Sequence, residues 1–189
     1  MAAGDAHELI GFDAGTIAEE GVTTTVTGGT VTLTSNGARN GLCARINRTS
    51  VAAVAFNKST STTPPYPAGK TTGALLCYMK FDTLPSAGSV ILTGTVIAGN
   101  DVQISVGTTG QLTGVYVGGT ATNAVGTFQV GAWNRVEWTW DHTTTTHTST
   151  LSMNGNTALT FTRPGTAATQ VDGWAFGAGG ATGGTYDMS

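Results

Sequence analysis

Charged side chains are scarce in this sequence, because lysine, arginine, aspartate and glutamate together make up only 10% of its 189 residues. Acidic residues outnumber basic ones, and the formal net charge at pH 7 is -3. Proteins that bind DNA or RNA without sequence preference draw most of their affinity from clustered positive charge. The composition therefore excludes nucleic acid as an expected partner.

Long apolar runs are absent as well. No run approaches the roughly 18 apolar residues that a membrane-spanning helix needs, so membrane insertion is not expected. Residues 1–8 lack the charged-then-apolar order of a signal peptide, and we interpret this as the absence of an export address. Such a start fits a protein released by cell lysis and equally fits a domain expressed without its leader.

Cysteine is also scarce, since the chain has only Cys43 and Cys77. Side chains alternate between the two faces of a strand, so Cys77 shares a face with Met79, whereas Cys43 lies opposite Ala44 and Ile46. These positions in the alternation do not indicate that Cys43 and Cys77 form a disulfide. A disulfide stays open as an alternative, and we expect two buried apolar residues.

Threonine and glycine are abundant instead: threonine is the commonest residue, and there are 28 glycines. Threonine is β-branched and favours strands, and short alternating segments separated by glycine turns recur along the whole chain. The predicted strands form a hairpin within 22–35 and a pair at 42–46 and 51–56, followed by 74–82, 90–96, 102–106, 112–117, 125–130, 158–162 and 171–177. No segment shows helical periodicity, so we predict a single all-β antiparallel domain over residues 1–189.

Residues 57–73 interrupt the alternation with a Pro/Thr-rich stretch of low complexity. Its three prolines exclude a central strand and favour extended polyproline geometry. The P-x-x-P spacing around Tyr66 is also compatible with peptide recognition, but a proline-rich surface loop is the favoured interpretation. We therefore predict that 57–73 lies on the surface.

A central stretch reading W-N-R-V-E-W-T-W-D, then H-T-T-T-T-H and L-S-M-N-G, is the most informative part of the chain. Its first half alternates with period two, as a half-buried strand does, and Asn154-Gly155 is a typical tight-turn pair. We predict that Arg135 and Glu137 face outward. The predicted inward set is Val136, Trp138, Trp140, Leu151 and Met153.

This stretch resembles the central hairpin of the concanavalin A-like lectin/glucanase superfamily, in its laminin-G-like branch. Phe12-Asp13-Ala14-Gly15 resembles the F-E-x-G opening of such domains, especially of stand-alone copies in phage virion proteins. Tyr186-Asp187 resembles the start of their Y-D-D-V-x-V closing strand. The resemblance implies a two-sheet antiparallel jelly-roll sandwich.

The closing strand of that family is cut short here at Ser189. In the family this strand lies against one near the N-terminus, here around residues 9–12, so a shortened strand would leave backbone groups unpaired at an edge. Open edges recruit further strands. We therefore expect a neighbouring chain or a C-terminal continuation to cover this edge.

The resemblance also directs attention to carboxylates, because glucanases of the superfamily place an acid and a nucleophile or base around one glycosidic bond. Their E-x-D-x-x-E array is absent. Glu19 and Glu20 are adjacent and would point to opposite faces, and the nearest carboxylate to Glu137 is Asp141, beyond the strand end. The sequence therefore predicts no enzymatic activity and no catalytic residue.

Metal ligands are equally sparse. His142 and His147 flank four threonines and form the one plausible two-histidine metal pair, but no third ligand is evident. We expect two exposed turn histidines. Asn100-Asp101 offers oxygen donors of the kind calcium prefers, without a dense cluster. No metal site and no cofactor are predicted.

Taken with the resemblance, these observations favour a non-enzymatic virion structural protein, either a capsid decoration or a tail-associated subunit, at the virion surface or otherwise extracellular. Its partners would be other virion subunits or copies of itself, with a cell-surface glycan as a further partner. The alternative is a carbohydrate-binding module of an extracellular protein, and a polysaccharide hydrolase or lyase is weaker because fold analogy alone supports it. The candidate ligand or partner contacts are Tyr66, Tyr116, Arg135, Glu137, Tyr186 and Asp187.

Overall fold

The computed structural model describes residues 23–26, 29–35, 43–48, 54–59, 70–85, 88–96, 101–119, 126–156, 159–177 and 185–188. The strands are β1 (Thr23–Val26), β2 (Gly29–Thr34), β3 (Cys43–Arg48), β4 (Val54–Ser59), β5 (Thr72–Thr83), β6 (Ser89–Val96), β7 (Val102–Val106), β8 (Leu112–Tyr116), β9 (Asn134–Asp141), β10 (Thr146–Met153), β11 (Leu159–Pro164), β12 (Val171–Phe176) and β13 (Thr185–Met188). Within these ranges the chain is all strand and loop, and no helix is present that could cross a membrane.

The strands form two sheets. One has six strands in the order β1-β4-β12-β6-β7-β8, and the other has seven in the order β11-β10-β9-β5-β13-β3-β2. Each pairing is antiparallel, for example β5 with β9 and β6 with β7. This arrangement confirms the predicted two-sheet antiparallel jelly-roll sandwich.

The central hairpin supplies the middle of the core, as its period-two pattern predicts. β9 lies between β10 and β5, with Trp138 opposite Leu151 on one side and opposite Leu75 on the other. The fully buried members of the predicted inward set are Val136, Trp138, Leu151 and Met153. Trp140 is half-buried against the core, and its indole N–H donates to the carbonyl oxygen of Lys70 at 3.0 Å. The predicted register of the hairpin is therefore confirmed.

Two glycines make room for the large indoles of β9. A Cβ at Gly94 of β6 would overlap the ring of Trp138, and one at Gly73 of β5 would overlap the ring of Trp140. Trp138 thus reaches from one sheet onto the backbone of the other. Close packing of this kind leaves little room for substitution, because a well-packed core accommodates extra atoms only by shifting its neighbours.

The period-two pattern predicted where the strands lie better than it predicted which strands pair with each other. The predicted hairpin within 22–35 is wrong, because β1 pairs with β4 in one sheet and β2 with β3 in the other. The predicted pairing of 42–46 with 51–56 is wrong for the same reason. Consecutive strands of a jelly roll commonly cross between sheets, and a short glycine turn does not reveal that crossing.

Two predicted boundaries also change. Residues 126–130 of the expected strand 125–130 form one isolated bridge, Gln111 to Thr127, followed by a turn. The predicted surface loop 57–73 is shorter, because 57–59 complete β4 and Thr72 begins β5. Residues 60–69 lie outside the described ranges.

The predicted open edge at the closing strand is wrong. β13 lies inside the seven-stranded sheet, paired with β3 on one side and β5 on the other. Both rows of its backbone groups therefore face strands of the same chain, and there is no edge at β13 for a neighbour to cover. Residues 9–12, the expected partner, lie outside the described part of the chain.

Cys77 confirms the apolar interpretation of the cysteines for its own position. It is buried and free, and burial raises the pKa of its thiol to about 12. A thiol that stays protonated at neutral pH is a poor nucleophile. Cys43 occupies the first position of β3 in the same sheet.

Candidate functional site

The outer face of the seven-stranded sheet collects charged and aromatic side chains from several strands. In β5 the odd positions from Cys77 to Phe81 are buried in the core, so by alternation the even positions Tyr78, Lys80 and Asp82 lie on the outer side, where Lys80 is largely covered and Asp82 is exposed. β9 and β3 add further charges to this surface. We define the polar face by the residues Arg45, Tyr78, Lys80, Asp82, Arg135 and Glu137.

Strand register makes Tyr78 and Arg135 neighbours, since they are directly opposed across β5 and β9. Opposed residues on one face of a sheet have their Cβ atoms about 4.5–5.5 Å apart. The Nη2 atom of Arg135 is 2.7 Å from Oε2 of Glu137, two residues along β9. The side chains of this ion pair remain 36% and 21% exposed, so a ligand can reach both.

A second group of charges lies farther along the same face. Oδ2 of Asp82 is 3.1 Å from Nη2 of Arg45, and its Oδ1 is 3.8 Å from Nζ of Lys80. The Lys80 ammonium also lies 5.7 Å from the ring centroid of Trp133, within the range of a cation–π attraction. By register, Asp187 occupies the position between Arg45 and Lys80. Positive and negative positions therefore alternate across β3, β13 and β5.

Of the six predicted contact residues, the polar face includes Arg135 and Glu137, and its register also includes the position of Asp187. Tyr186 is opposed to Phe81, a core position, so its place in the register is on the inner side of the sheet. Tyr66 lies outside the described residues.

Tyr116 is not a surface residue. Its side chain is only 2% exposed and lies between the sheets, in edge-to-face contact with Phe161 at 5.4 Å between ring centroids. The predicted surface role of Tyr116 therefore does not agree with its position. In the sequence it ends an apolar strand, and alternation alone did not show which face of that strand is buried.

Sequence reasoning missed four members of the polar face, namely Arg45, Tyr78, Lys80 and Asp82. The alternation Y-M-K-F-D at the end of β5 carries a readable signal, because every second residue is polar or amphipathic. What the sequence lacked was the pairing of β5 with β9, which joins Tyr78 to Arg135 across more than fifty positions. These residues were therefore not predicted, because the order of the strands within the sheet was not known from the sequence.

Carboxylate spacing on the polar face bears on hydrolysis. Glu137 is opposed to Leu76, six residues from Asp82 along β5, which corresponds to about 20 Å at about 3.3 Å per residue. Glycosidases hold their two carboxyl groups roughly 5–10 Å apart. Glu137 and Asp82 are thus too distant to act on one glycosidic bond.

A separate buried polar cluster lies between the sheets, where β8 meets the β9–β10 hairpin. The hydroxyl oxygen of Tyr116 is 3.0 Å from Nε2 of His142 and 2.8 Å from Oγ of Ser149. The indole N–H of Trp138 donates to the same Oγ at 3.1 Å. Burial raises the pKa of Tyr116 to about 12, although the hydrogen bond with Ser149 opposes the shift.

The prediction of two exposed turn histidines is wrong, because His142 and His147 are both fully buried. Their rings stack with 4.2 Å between centroids and 14° between planes. The lone pair of an imidazole nitrogen lies in the ring plane, so face-to-face rings do not direct two lone pairs at one ion. The described residues also contain no group of three or more His, Cys, Asp or Glu side chains that could hold a metal ion.

Burial is the main cause of a lowered pKa at His142, which falls to about 4. The nearby His147 lowers it further, while Asp141 and the backbone of Thr169 favour the charged form. Asp141 itself is exposed, and its carboxylate accepts hydrogen bonds from the hydroxyl and amide of Thr143, which keep its pKa below the usual range. His142 is therefore neutral at pH 7.

No protein-family model matches the chain, and no curated protein matches its sequence. Solved structures do share its fold. The PL-14 alginate lyase of Aplysia kurodai aligns with a TM-score of 0.57 at 9% identity over 84% of each chain. The alginate lyase of a Corynebacterium species gives 0.58 at 9% identity, over 87% of this chain and 80% of that one.

A third structure with this fold is domain 4 of AbnA, an extracellular GH43 arabinanase from Geobacillus stearothermophilus, in complex with arabinotriose. It aligns with a TM-score of 0.53 at 13% identity, over 94% of this chain and 87% of that domain. Identities this low show the fold alone. These neighbours correct the prediction that this chain is not an enzyme. The prediction relied on the absence of the glucanase carboxylates, but alginate lyases have the same sandwich fold.

The structural neighbours are jelly-roll sandwiches, in agreement with the resemblance to the concanavalin A-like superfamily, and they give no support to the phage link.

Proposed function

We propose that this chain is a carbohydrate-active domain that binds a polysaccharide along the polar face of its seven-stranded sheet. The observation that carries the proposal is the solvent-accessible Arg135–Glu137 pair directly beside Tyr78. A guanidinium offers only donors and a carboxylate only acceptors, so the pair can meet both oxygens and hydrogens of neighbouring sugar hydroxyls. The tyrosine ring adds an apolar surface with a polar tip.

The outer face of the six-stranded sheet gives a contrast. Its outward positions on β6, β7 and β8 include Thr93, Gln103, Ser105, Thr113 and Val115. None of these five side chains is ionisable or aromatic. On these three strands, side chains suited to binding a sugar chain are therefore rarer than on the polar face.

The structural neighbours support the same class of function without assigning it. Two are alginate lyases, and the third is a domain in complex with arabinotriose. Three sandwiches of this shape are thus associated with polysaccharides or their fragments. At 9–13% identity this supports a carbohydrate ligand only as a class.

Binding can be tested by affinity electrophoresis and titration calorimetry against a panel that includes alginate and arabinan. Arg135→Ala should weaken binding by about tenfold or more, because one charge-assisted hydrogen bond contributes about 1.5–3 kcal/mol. Gln103→Ala, on the opposite sheet, is the matched control and should bind as the unaltered chain does. Unchanged affinity in Arg135→Ala would overturn the assignment to this face, and no binding to any polysaccharide would overturn the function.

The second candidate function is cleavage of a polysaccharide by elimination. Two observations favour elimination over hydrolysis: Tyr78 lies directly beside Arg135, and Glu137 and Asp82 are too far apart to act on one glycosidic bond. On a uronate chain, a base removes the proton from the carbon next to the carboxylate, a carbon–carbon double bond forms, and the bond to the leaving sugar oxygen breaks. That oxygen then takes up a proton. Arg135 would neutralise the carboxylate, and the hydroxyl of Tyr78 would give its proton to the leaving oxygen and then regain one from the protonated base.

Elimination leaves an unsaturated product, which absorbs ultraviolet light and can be followed directly during incubation with alginate or other uronates. Tyr78→Phe should lose this signal while retaining binding. Ser105→Ala, outward on β7, is the control that should leave both unchanged. Absence of product with every uronate tested would reject cleavage and leave binding to stand on its own measurement.

The setting in which the chain works remains a prediction from the sequence resemblance. We propose the virion surface or the extracellular space, with virion subunits or copies of this chain as further partners and without nucleic acid or membrane insertion. Mass spectrometry of purified particles, compared with culture medium and cytosol, tests the location. Detection in cytosol alone would contradict both settings.

A further inference from the structure

The loop at residues 165–170, between β11 and β12, is fastened to the β9–β10 hairpin through its backbone. The amide of Gly165 donates to the carbonyl of Thr145 at 2.8 Å, and the amide of Ala168 donates to the carbonyl of His142 at 2.9 Å. Ala168 has a φ of 61°, in the left-handed region that residues with a side chain rarely adopt. A conformation of this kind persists only where surrounding contacts hold it.

The two buried histidines supply further contacts of this type. Nε2 of His147 donates to the carbonyl oxygen of Thr166 at 2.9 Å. Gly165 lies directly over the same imidazole, and a Cβ there would overlap the ring. The backbone of the loop therefore packs on His147, while the backbone of His142 holds Ala168.

Charge on these rings would be poorly accommodated. Both imidazoles are fully buried and lie face to face at 4.2 Å, so two positive charges would be in contact. Neither Nδ1 has a hydrogen-bond partner among the described residues. A buried charge without a partner is strongly unfavourable.

Among the groups around the pair, Asp141 and the backbone of Thr169 favour the charged form of His142, but burial and His147 outweigh them. Tyr116 of β8 contacts His142 as a neutral phenol. Arg163 of β11 is opposed to His147 by register. It is itself positive, and it donates to the carbonyl of Val117. Asp101, next to β7, directs its carboxylate to the amide of Val96. Asp141, on the hairpin itself, is engaged by Thr143. Lys70 is exposed and positive, and the carbonyl of its neighbour Thr71 accepts a hydrogen bond from the His142 amide.

We propose that the stacked pair of His142 and His147 forms an acid-sensitive latch: while His142 is neutral, the pair holds the loop 165–170 closed against the β9–β10 hairpin, and a positive charge on His142 releases the loop. An imidazole exposed by opening regains an ordinary affinity for protons, which the closed state denies to His142. Protons therefore bind the open state preferentially and shift the equilibrium towards it. This inference does not depend on the glycan-binding proposal.

Hydrogen exchange measured by mass spectrometry over residues 165–170 tests the latch in the full chain. Between pH 7 and pH 4.5, the protection of this loop, corrected for intrinsic exchange, should fall by about tenfold or more. Protection of the core strand β9 should fall less. The double variant His142→Gln/His147→Gln keeps donors and acceptors but cannot be charged at these positions, so its loop protection should fall clearly less than that of the unaltered chain.

His7→Gln, which removes the chain's third histidine, is the matched control and should behave as the unaltered chain. Equal loss of protection in the double variant and the unaltered chain would overturn the latch, as would loop protection that stays constant with pH. If the double variant does not fold, histidine NMR of the unaltered chain decides the matter. A midpoint of imidazole titration that coincides with loop opening supports the latch, and titration without opening rejects it.

Discussion

At the scale of single residues, burial decides what each side chain does. Trp138 and Tyr116 are both amphipathic, and in both the polar atom is bonded inside the core, through Ser149 and His142. Arg135 and Tyr78 instead keep their polar ends on an outer face. A residue-by-residue scan of the sequence for exposed aromatics selects Tyr116 and passes over Tyr78, because composition does not reveal which side of a strand is covered.

Truncation of the central indole is the most direct test of the core. Trp138→Ala should lower the free energy of unfolding by about 3–5 kcal/mol, since a large buried side chain is replaced by a cavity. Urea denaturation followed by circular dichroism measures the change. Leu76→Ala, on the outer face and 45% exposed, is the control and should shift stability by about 0.5 kcal/mol or less. Similar losses in the two variants would contradict the assigned core.

Removal of one hydroxyl tests the buried polar cluster. Tyr116→Phe keeps the ring contact with Phe161 but leaves Nε2 of His142 without its partner, which should cost about 1–3 kcal/mol. Urea denaturation at pH 7 gives the value. Tyr78→Phe, the same substitution on the outer face, should cost less. A neutral result at Tyr116 would mean that its hydroxyl is not held as described.

At the scale of elements, strands were predictable and their order was not. Period two locates β5, β7, β9 and β10 because each has one buried face. It does not show that β1 and β2 belong to different sheets, since either pairing buries the same apolar face. The buried histidines escaped prediction for a related reason. In the sequence they flank four polar residues, and the loop that covers them follows some twenty positions later.

The covering loop can be disturbed by a single methyl group. Gly165→Ala places a Cβ where the His147 ring lies, so the loop or the ring must move, at a cost of about 1–3 kcal/mol. Limited proteolysis at pH 7 should then cut within 165–170 earlier than in the unaltered chain. Gly88→Ala is the matched control, because a Cβ there meets nothing within 4 Å. Equal cleavage in both variants would argue against close packing of loop and ring.

At the scale of the whole molecule, stability should depend on pH through His142. Its pKa is about 4 in the folded state against 6.5 when exposed, so the unfolded chain binds the proton first as pH falls. The contribution is complete above pH 6.5 and is lost as pH falls through the folded pKa. A shift of this size corresponds to about 3 kcal/mol.

Urea midpoints between pH 7 and pH 4 should therefore decline more in the unaltered chain than in His142→Gln. Other carboxylates contribute to acid denaturation in both proteins, so the difference between the two curves is the relevant quantity. Parallel curves would show that His142 titrates alike in the folded and unfolded chain.

The place of β13 in the seven-stranded sheet has a consequence for the order of assembly during synthesis. β3 and β5 do not pair with each other, and the strand between them is the last of the described strands to emerge from the ribosome. Until then, β2–β3 and β5–β9–β10–β11 are two separate ribbons, each with an open inner edge. The sheet that carries the polar face can close only after translation has passed residue 188, so the nascent chain must hold two exposed strand edges apart from other chains until its final strand joins them.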